Sequence, residues 1–446
     1  QWFVRYLDLK DKFRERSDEV KWLPEHMKIR LYNWIDGLKW DWCISRQRFY
    51  GVPFPVWYCK NCGDMVLADI EELPVDPRLE KNGRKCSRCG SSDLEPERDV
   101  MDTWATSSLS PRLALVPAGY FQSLYPMDIR FQGHDIISVW AFVTIVRSEI
   151  HDSLSPWKRI FISGNVYDPL GQKMSKSKGN VLEPANFIEQ YGADALRFWA
   201  SSSVPGDDIK IKEQDFVRGR RTVIKLFNAF KLLELIRSDK PLKKLNTPPS
   251  NMANAWILAK LNSVVKDVTD LMDQYLFSRA RTQLDNFFWN TFCDNYLEII
   301  KGYGNTDTDP ALQDETVSVS YHVFLDVLRM YAPIMPFITE ELYLSYPEHG
   351  KSIHVDLWPS FSEEFIFQEA EGKMDYIIEV IGKIRNLKTG NKMSMNTPLE
   401  RVFINGNSRI IEEGRDIIMG MMKIGSIISE DSPEILVSLD EKQENK

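Results

Sequence analysis

The spacing of apolar positions changes character near residue 213. Upstream, apolar residues come in short clusters broken by polar turns. The first forty residues read as helix, with Trp22, His26, Ile29, Tyr32 and Trp34 set among polar neighbours, and Asp41 to Ser45 as a short strand running into a turn. Asp128-Ile129-Arg130-Phe131 predicts a short strand, residues 135–151 a helix apolar on most faces, and Arg159 to Ser163 a second strand. A helix with so little polar surface belongs between layers, and the strands it joins then pair in parallel within a covered sheet. Downstream the rhythm is that of long amphipathic helices. Val223, Leu226, Phe227, Phe230 and Leu233 recur at spacings of three and four and so share one face. Ile257, Leu261, Val264, Val265, Val268, Leu271 and Met272 repeat the rhythm, and two further segments run over Ala280 to Lys301 and Tyr321 to Met330. Four such helices predict a bundle. A Pro- and Glu-rich link over residues 347–372 leads to a small mixed α+β tail with its own basic cluster, Lys383, Arg385, Lys388 and Lys392.

Length and composition narrow the class. At 446 residues the chain exceeds one ordinary domain, and with 43% hydrophobic and 27% charged residues it can build real cores. The densest apolar stretch, Trp140 to Val146, is too short to span a bilayer, so no membrane partner is expected. The opening Gln1-Trp2-Phe3-Val4 enters directly on an apolar segment and has no secretory pattern, which predicts a chain cut from something longer. A net charge of −8 argues against wholesale wrapping on nucleic acid but leaves local basic surfaces open. Arg218, Arg221 and Lys225 form one such stripe on the polar side of the first long helix, either an ordinary solvated face or a phosphate-contacting one.

Two motifs carry candidate chemistry. Cys59, Cys62, Cys86 and Cys89 form two Cys-x-x-Cys pairs separated by 23 residues, the spacing of a zinc ribbon, within an insertion over residues 56–97. Four thiolates close a tetrahedral shell with no open position, which predicts structural Zn2+; the alternative is disulfides or loose thiols. Paired knuckles with two spare thiols predict a cytoplasmic protein, with Cys43 and Cys293 as small core residues. The second motif is Lys173-Met174-Ser175-Lys176-Ser177-Lys178-Gly179-Asn180, after a strand and the turn Asp168-Pro169-Leu170-Gly171. Its ammonium groups can hold nucleotide phosphates as charge builds on them, although a lysine and serine run alone is usually a solvated loop.

Taken together, the segments resemble the class I aminoacyl-tRNA synthetases, whose second signature is this lysine loop, and within them the valine branch of archaeal type. The resemblance runs through Trp40 to Arg48, Asp99 to Trp104, Gly133-His134-Asp135-Ile136-Ile137 with Trp140, Gly164 to Asn180, Lys225 to Ala229 and Pro333 to Glu341. It covers residues 1–360 and is weaker over the tail. It implies valine activation by ATP, carried with Mg2+, and transfer to tRNA-Val. Lys173 and Lys176 would bind the triphosphate and stabilise the transition state, with Met174, Ser175 and Ser177 lining the same loop. Gly133, His134 and Asp135 would edge the nucleotide site, Asp135 accepting ribose hydroxyls; His134 alternatively only fills the turn. Trp104, Ile136 and Trp140 would wall the valine side chain, although each taken alone is more often a core residue. The stripe Arg218, Arg221 and Lys225 would contact tRNA.

The resemblance implies a multidomain α/β plus all-α fold. Residues 1–55 would begin the second half of a Rossmann-like parallel sheet, 56–97 insert the ribbon, 98–212 complete that half, 213–362 form an anticodon-binding bundle and 363–446 the tail. The first class I signature, His-x-Gly-His, is absent from the sequence, and so is the hydrolytic editing domain. The chain therefore reads as the downstream half of an enzyme, with the N-terminal half of the same enzyme as a partner, and is expected not to form valyl-adenylate alone. An isoleucine or leucine sibling is the nearest rival. A non-catalytic tRNA-binding paralogue is the other, and the retained lysine loop argues against it.

Overall fold

Ile160, Phe161 and Ile162 are buried in succession along the strand Arg159–Ser163, as an apolar run is when both faces of a sheet are covered. This strand is the centre of a three-stranded parallel sheet, with Lys21–Leu23 on one side and Arg130–Gly133 on the other. The computed structural model describes residues 1–80, 83–238, 240–243, 245, 248–304 and 309–439. They fall into two units, Gln1–Tyr167 with Pro205–Ile209, and Asp168–Val204 with Lys210 onward.

In the first unit the apolar segment after Gly133 runs through a short 3-10 turn, one π-helical turn at Ile137–Ala141 and the helix Phe142–Asp152. Phe142, Ile145 and Val146 pack with Phe13, Leu31 and Ile35 from the helices Lys10–Glu19 and Lys28–Gly37. Two expectations are corrected here. The first forty residues are not one helix: the strand Lys21–Leu23 interrupts them, because Trp22 is buried beside Ile160 and Pro24 cannot continue a helix. The strand expected at 128–131 runs from Arg130 to Gly133, since Asp128 stays at the surface paired with Lys158 while Gly133 pairs with Ser163. The insertion forms its own antiparallel sheet, Met65–Leu67, Val56–Cys59 and Leu94–Pro96 in that order.

The second unit is mainly helical. Its long members are Glu213–Arg237, Met252–Asp273, Pro310–Tyr331 and Gln368–Gly390. The helix Phe277–Asn286 continues as a π-helix through Phe287–Tyr296 into Leu297–Ile300. The tail adds a sheet in which Leu399–Gly406 pairs in parallel with Ile424–Asp431 and antiparallel with Leu436–Ser438. Met374, Ile377 and Ile381 belong to the same apolar cluster as Leu226, Ile257 and Phe324, so bundle and tail share one core.

Three further expectations change. Phe227 does not share the buried face of Leu226, Phe230 and Leu233; it is 45% exposed, with the Lys231 ammonium 5.4 Å from its ring centroid. Lys388 is not part of a surface cluster. It is fully buried, and its ammonium donates to the carbonyls of Met395, Thr397 and Met422 at 3.0, 2.8 and 2.7 Å. Cys293 is buried as expected, whereas Cys43 is only half-buried. Among the described residues no helix is long and apolar enough to cross a membrane.

Candidate functional site

The first unit gathers the Gly133 segment into a polar cluster at the end of its strand. A Cβ on Gly133 would lie 2.6 Å from Asp135 Oδ1, so glycine is what lets that carboxylate fold back over the backbone. The His134 ring joins three segments: Nδ1 lies 3.2 Å from Arg30 Nη1, and Nε2 lies 3.4 Å from Asp208 Oδ1 and 3.1 Å from Asn165 Nδ2. A guanidinium only donates, so Nδ1 accepts from Arg30, while Nε2 lies between an acceptor, the Asp208 carboxylate, and a donor, the Asn165 amide. Asp208 also accepts the Asn165 N–H at 2.7 Å, which is the main cause holding its carboxyl below the ordinary range. His134 thus works as a connector, while Asp135 remains exposed.

Trp104 starts a helix, Thr103–Ser107, capped by Asp102, whose carboxylate accepts the Trp104 N–H. Ile136 and Trp140 are half-buried, and the Trp140 indole donates to the Ser107 carbonyl at 3.3 Å. Arg130 was not singled out as a site residue. It is 8% exposed, and its guanidinium sits 2.9 Å from the centroid of a Trp140 ring and 5.0 Å from that of Trp157. Burial pulls it down to about 9, and the two ring faces supply the attraction that, among the described residues, no carboxylate does. One face of Trp140 is therefore already taken.

The lysine loop lies in the second unit and is described there by itself. Gly171 N–H donates to the Asp168 carbonyl at 2.9 Å, closing the turn expected from Pro169 and Gly171. Lys176–Lys178 form one 3-10 turn, ended by Gly179 at a φ of +68°. Lys173, Lys176 and Lys178 are exposed, and among the described residues none is held in an ion pair. Met174 and Ser175 are half-buried, and the Ser175 and Ser177 hydroxyls lie 3.2 Å apart. Asn180 spans the loop from within, a role that the sequence signalled only as an Asn after a Gly.

In the insertion the four cysteine sulfurs lie within 4.8 Å of one another. Cys59 and Cys89 are 3.5 Å apart, and Cys62 and Cys86 3.6 Å. Tetrahedral zinc with Zn–S bonds of about 2.3 Å would set such edges near ~3.8 Å, so the donor set fits that ion.

The basic stripe is partly spent. Arg218 pairs with the buried Asp285 at 3.3 Å, and Lys225 pairs with Asp294 at 3.4 Å and lies 5.0 Å from a Trp289 ring centroid. Arg221 is exposed and, among the described residues, has no ion pair.

Comparison with known proteins gives these features a context. Residues 1–212 match the family of class I tRNA synthetases (I, L, M and V), and residues 254–404 match the anticodon-binding domain of tRNA ligase. Valine–tRNA ligase of Thermoplasma volcanium is 55% identical over 445 residues, 99% of this chain and 56% of that protein. The corresponding protein of Thermoplasma acidophilum is 53% identical over 96% of this chain and 54% of its own length. The chain thus spans about half the length of the curated relatives it matches. A solved LeuRS–tRNA–LeuAMS ternary complex from Agrobacterium radiobacter K84 superposes with a TM-score of 0.59 at 21% identity, covering 74% of this chain and 43% of that one, a likeness of fold alone.

Proposed function

The chain belongs to the class I tRNA synthetases, and from that premise we propose that it carries the lysine loop and the tRNA-binding bundle of a valine–tRNA ligase. The observation that carries this reading is the loop itself, three exposed ammonium groups with no carboxylate paired to them among the described residues, on a segment braced from within. In the reaction a valine carboxylate oxygen bonds to the α-phosphorus of ATP while the bond from that phosphorus to pyrophosphate breaks. Negative charge grows on the leaving pyrophosphate. Lys173 and Lys176 hold that charge from fixed positions, and Mg2+ arrives with the nucleotide. Asp135 is the acceptor for the ribose hydroxyls, and Gly133 allows close approach of the backbone. Trp104, Ile136 and Trp140 wall the valine side chain. The valyl group then passes to the 3′ end of tRNA-Val.

Cys59, Cys62, Cys86 and Cys89 would hold zinc in a structural role, since four thiolates leave no position for a reacting group. On the bundle, Arg221 contacts the RNA backbone most freely, with Arg218 and Lys225 adding charge where their carboxylate pairs allow. Such contacts set register, while bases of the anticodon loop are read by stacking and by their edges. The missing N-terminal half of the enzyme supplies the rest of the catalytic site.

Equilibrium dialysis of this chain with ATP and with AMP tests the phosphate role. Each of Lys173→Ala and Lys176→Ala is expected to weaken ATP by about tenfold or more, the worth of one charge-assisted hydrogen bond, and to leave AMP unchanged. Equal losses for both nucleotides, or none for either, would contradict it.

A further inference from the structure

Ammonium groups on a surface loop serve a phosphate only if the loop presents them together. Freezing such a loop costs backbone entropy at every residue, so what braces it before the ligand arrives matters. The side chain of Asn180 touches the loop at three places. Its Oδ1 accepts the Ser175 N–H at 3.0 Å. Its Nδ2 donates to Asp168 Oδ2 at 2.9 Å and reaches the Lys173 carbonyl at 3.4 Å. Asp168 is buried at the stem, and its other oxygen accepts the Gln172 N–H at 2.7 Å. That hydrogen bond first, and the Asn180 amide second, keep its carboxyl below the ordinary range, so it stands ready as an ionised acceptor. Lys173 and Lys176 thus sit on a segment whose beginning, middle and end are tied through one planar amide.

We propose that Asp168 and Asn180 form a latch that holds the lysine loop in its phosphate-presenting shape, with Asn180 as a positioning residue that itself touches no ligand. The latch depends on the proposed nucleotide role only for its purpose, not for its existence. The chemistry at position 180 is specific: one end of the side chain must accept and the other must donate. Alanine provides neither. Aspartate keeps the acceptor towards Ser175 but sets a second carboxylate against Asp168. Exchanging the two residues restores the two shorter contacts, because asparagine at 168 accepts from Gln172 and donates to aspartate at 180, which still accepts from Ser175; only the 3.4 Å reach to the Lys173 carbonyl is lost.

Hydrogen exchange at the Ser175 amide in the full chain reads the latch without any ligand. Asn180→Ala and Asn180→Asp are each expected to speed exchange by about tenfold, as loss of one or two hydrogen bonds predicts. Tryptic cleavage after Lys173 and Lys176 should rise in step, with the melting transition of the helical unit unchanged. The double variant Asp168→Asn/Asn180→Asp is expected to return exchange to within about twofold of the parent, the rescue expected if pairing, not side-chain bulk, is what matters. Unchanged exchange in Asn180→Ala, or no rescue in the double variant, would overturn the latch. The ATP arm separates the two ideas: if no form of the chain binds ATP while exchange follows the latch pattern, the nucleotide role fails and the latch stands. If the parent binds ATP and Asn180→Ala binds it equally well, the latch does not position the lysines.

Discussion

Stripping the metal from the insertion with a chelator is expected to unfold residues 56–97 and to leave the helical unit folded. The reason is how little else holds the insertion. Its buried apolar cluster is Trp57, Cys59, Val66, Val75 and Cys86, and two of these five are themselves candidate ligands. An Arg84 guanidinium stacked 4.3 Å above a Trp57 ring centroid adds little. A core of this size does not offset the entropy of ordering such a segment, whereas structural zinc contributes apparent binding energies of about 10–16 kcal/mol. Elemental analysis should find about one zinc per chain, and hydrogen exchange should show loss of protection in the strands Val56–Cys59 and Leu94–Pro96 after chelation. Protection that survives removal of the metal would mean that the four cysteines are not a structural site.

Replacing Asp285 by alanine is expected to cost the helical unit about 3–5 kcal/mol, the usual consequence of removing one partner from a buried charge cluster. The Asp285 carboxylate is 1% exposed. It accepts the Tyr331 hydroxyl at 2.7 Å and faces Arg218 at 3.3 Å and Arg281 at 4.0 Å. Burial raises its pKa above the ordinary carboxylate value, against the pull of these partners. Alanine would strand a fully buried tyrosine hydroxyl and take away the carboxylate beside the buried Arg281, which would keep its 2.8 Å bond to the Phe198 carbonyl and the Phe198 ring. Asp285→Asn should cost less, because an amide oxygen still accepts from Tyr331. Arg218→Ala should cost no more than about 1 kcal/mol, since that side chain is 57% exposed. Denaturant melts followed by helical circular dichroism measure all three. An alanine variant within about 1 kcal/mol of the parent would show that the cluster does not carry the packing of the unit.

How much of this could be read from residues alone follows from the range of the forces involved. The strand Arg159–Ser163 was legible to the residue because an apolar run between turns is a local signal, and its parallel pairing followed from the apolar helix between the strands. The cysteine spacing was equally local. Lys21–Leu23 was not legible: three residues with one buried side chain have no period, and only the register with Arg159–Phe161 makes them a strand. Lys388 fits an outward basic cluster in the sequence, yet its place was set by three carbonyls from distant segments. The stripe had the same fate at Arg218, whose carboxylate partner lies 67 residues away. At the loop, the lysines were visible as a motif, while the brace at Asn180 depended on where Asp168 and Ser175 came to rest.

The central claim, a lysine loop and RNA-binding bundle of a valine enzyme, meets its most direct test in which tRNA the chain retains. Total tRNA passed over the immobilised chain at modest salt, followed by sequencing of the bound fraction, should return valine tRNA enriched over isoleucine and leucine tRNAs. Enrichment of either of those instead, or retention without preference among the three, would contradict it.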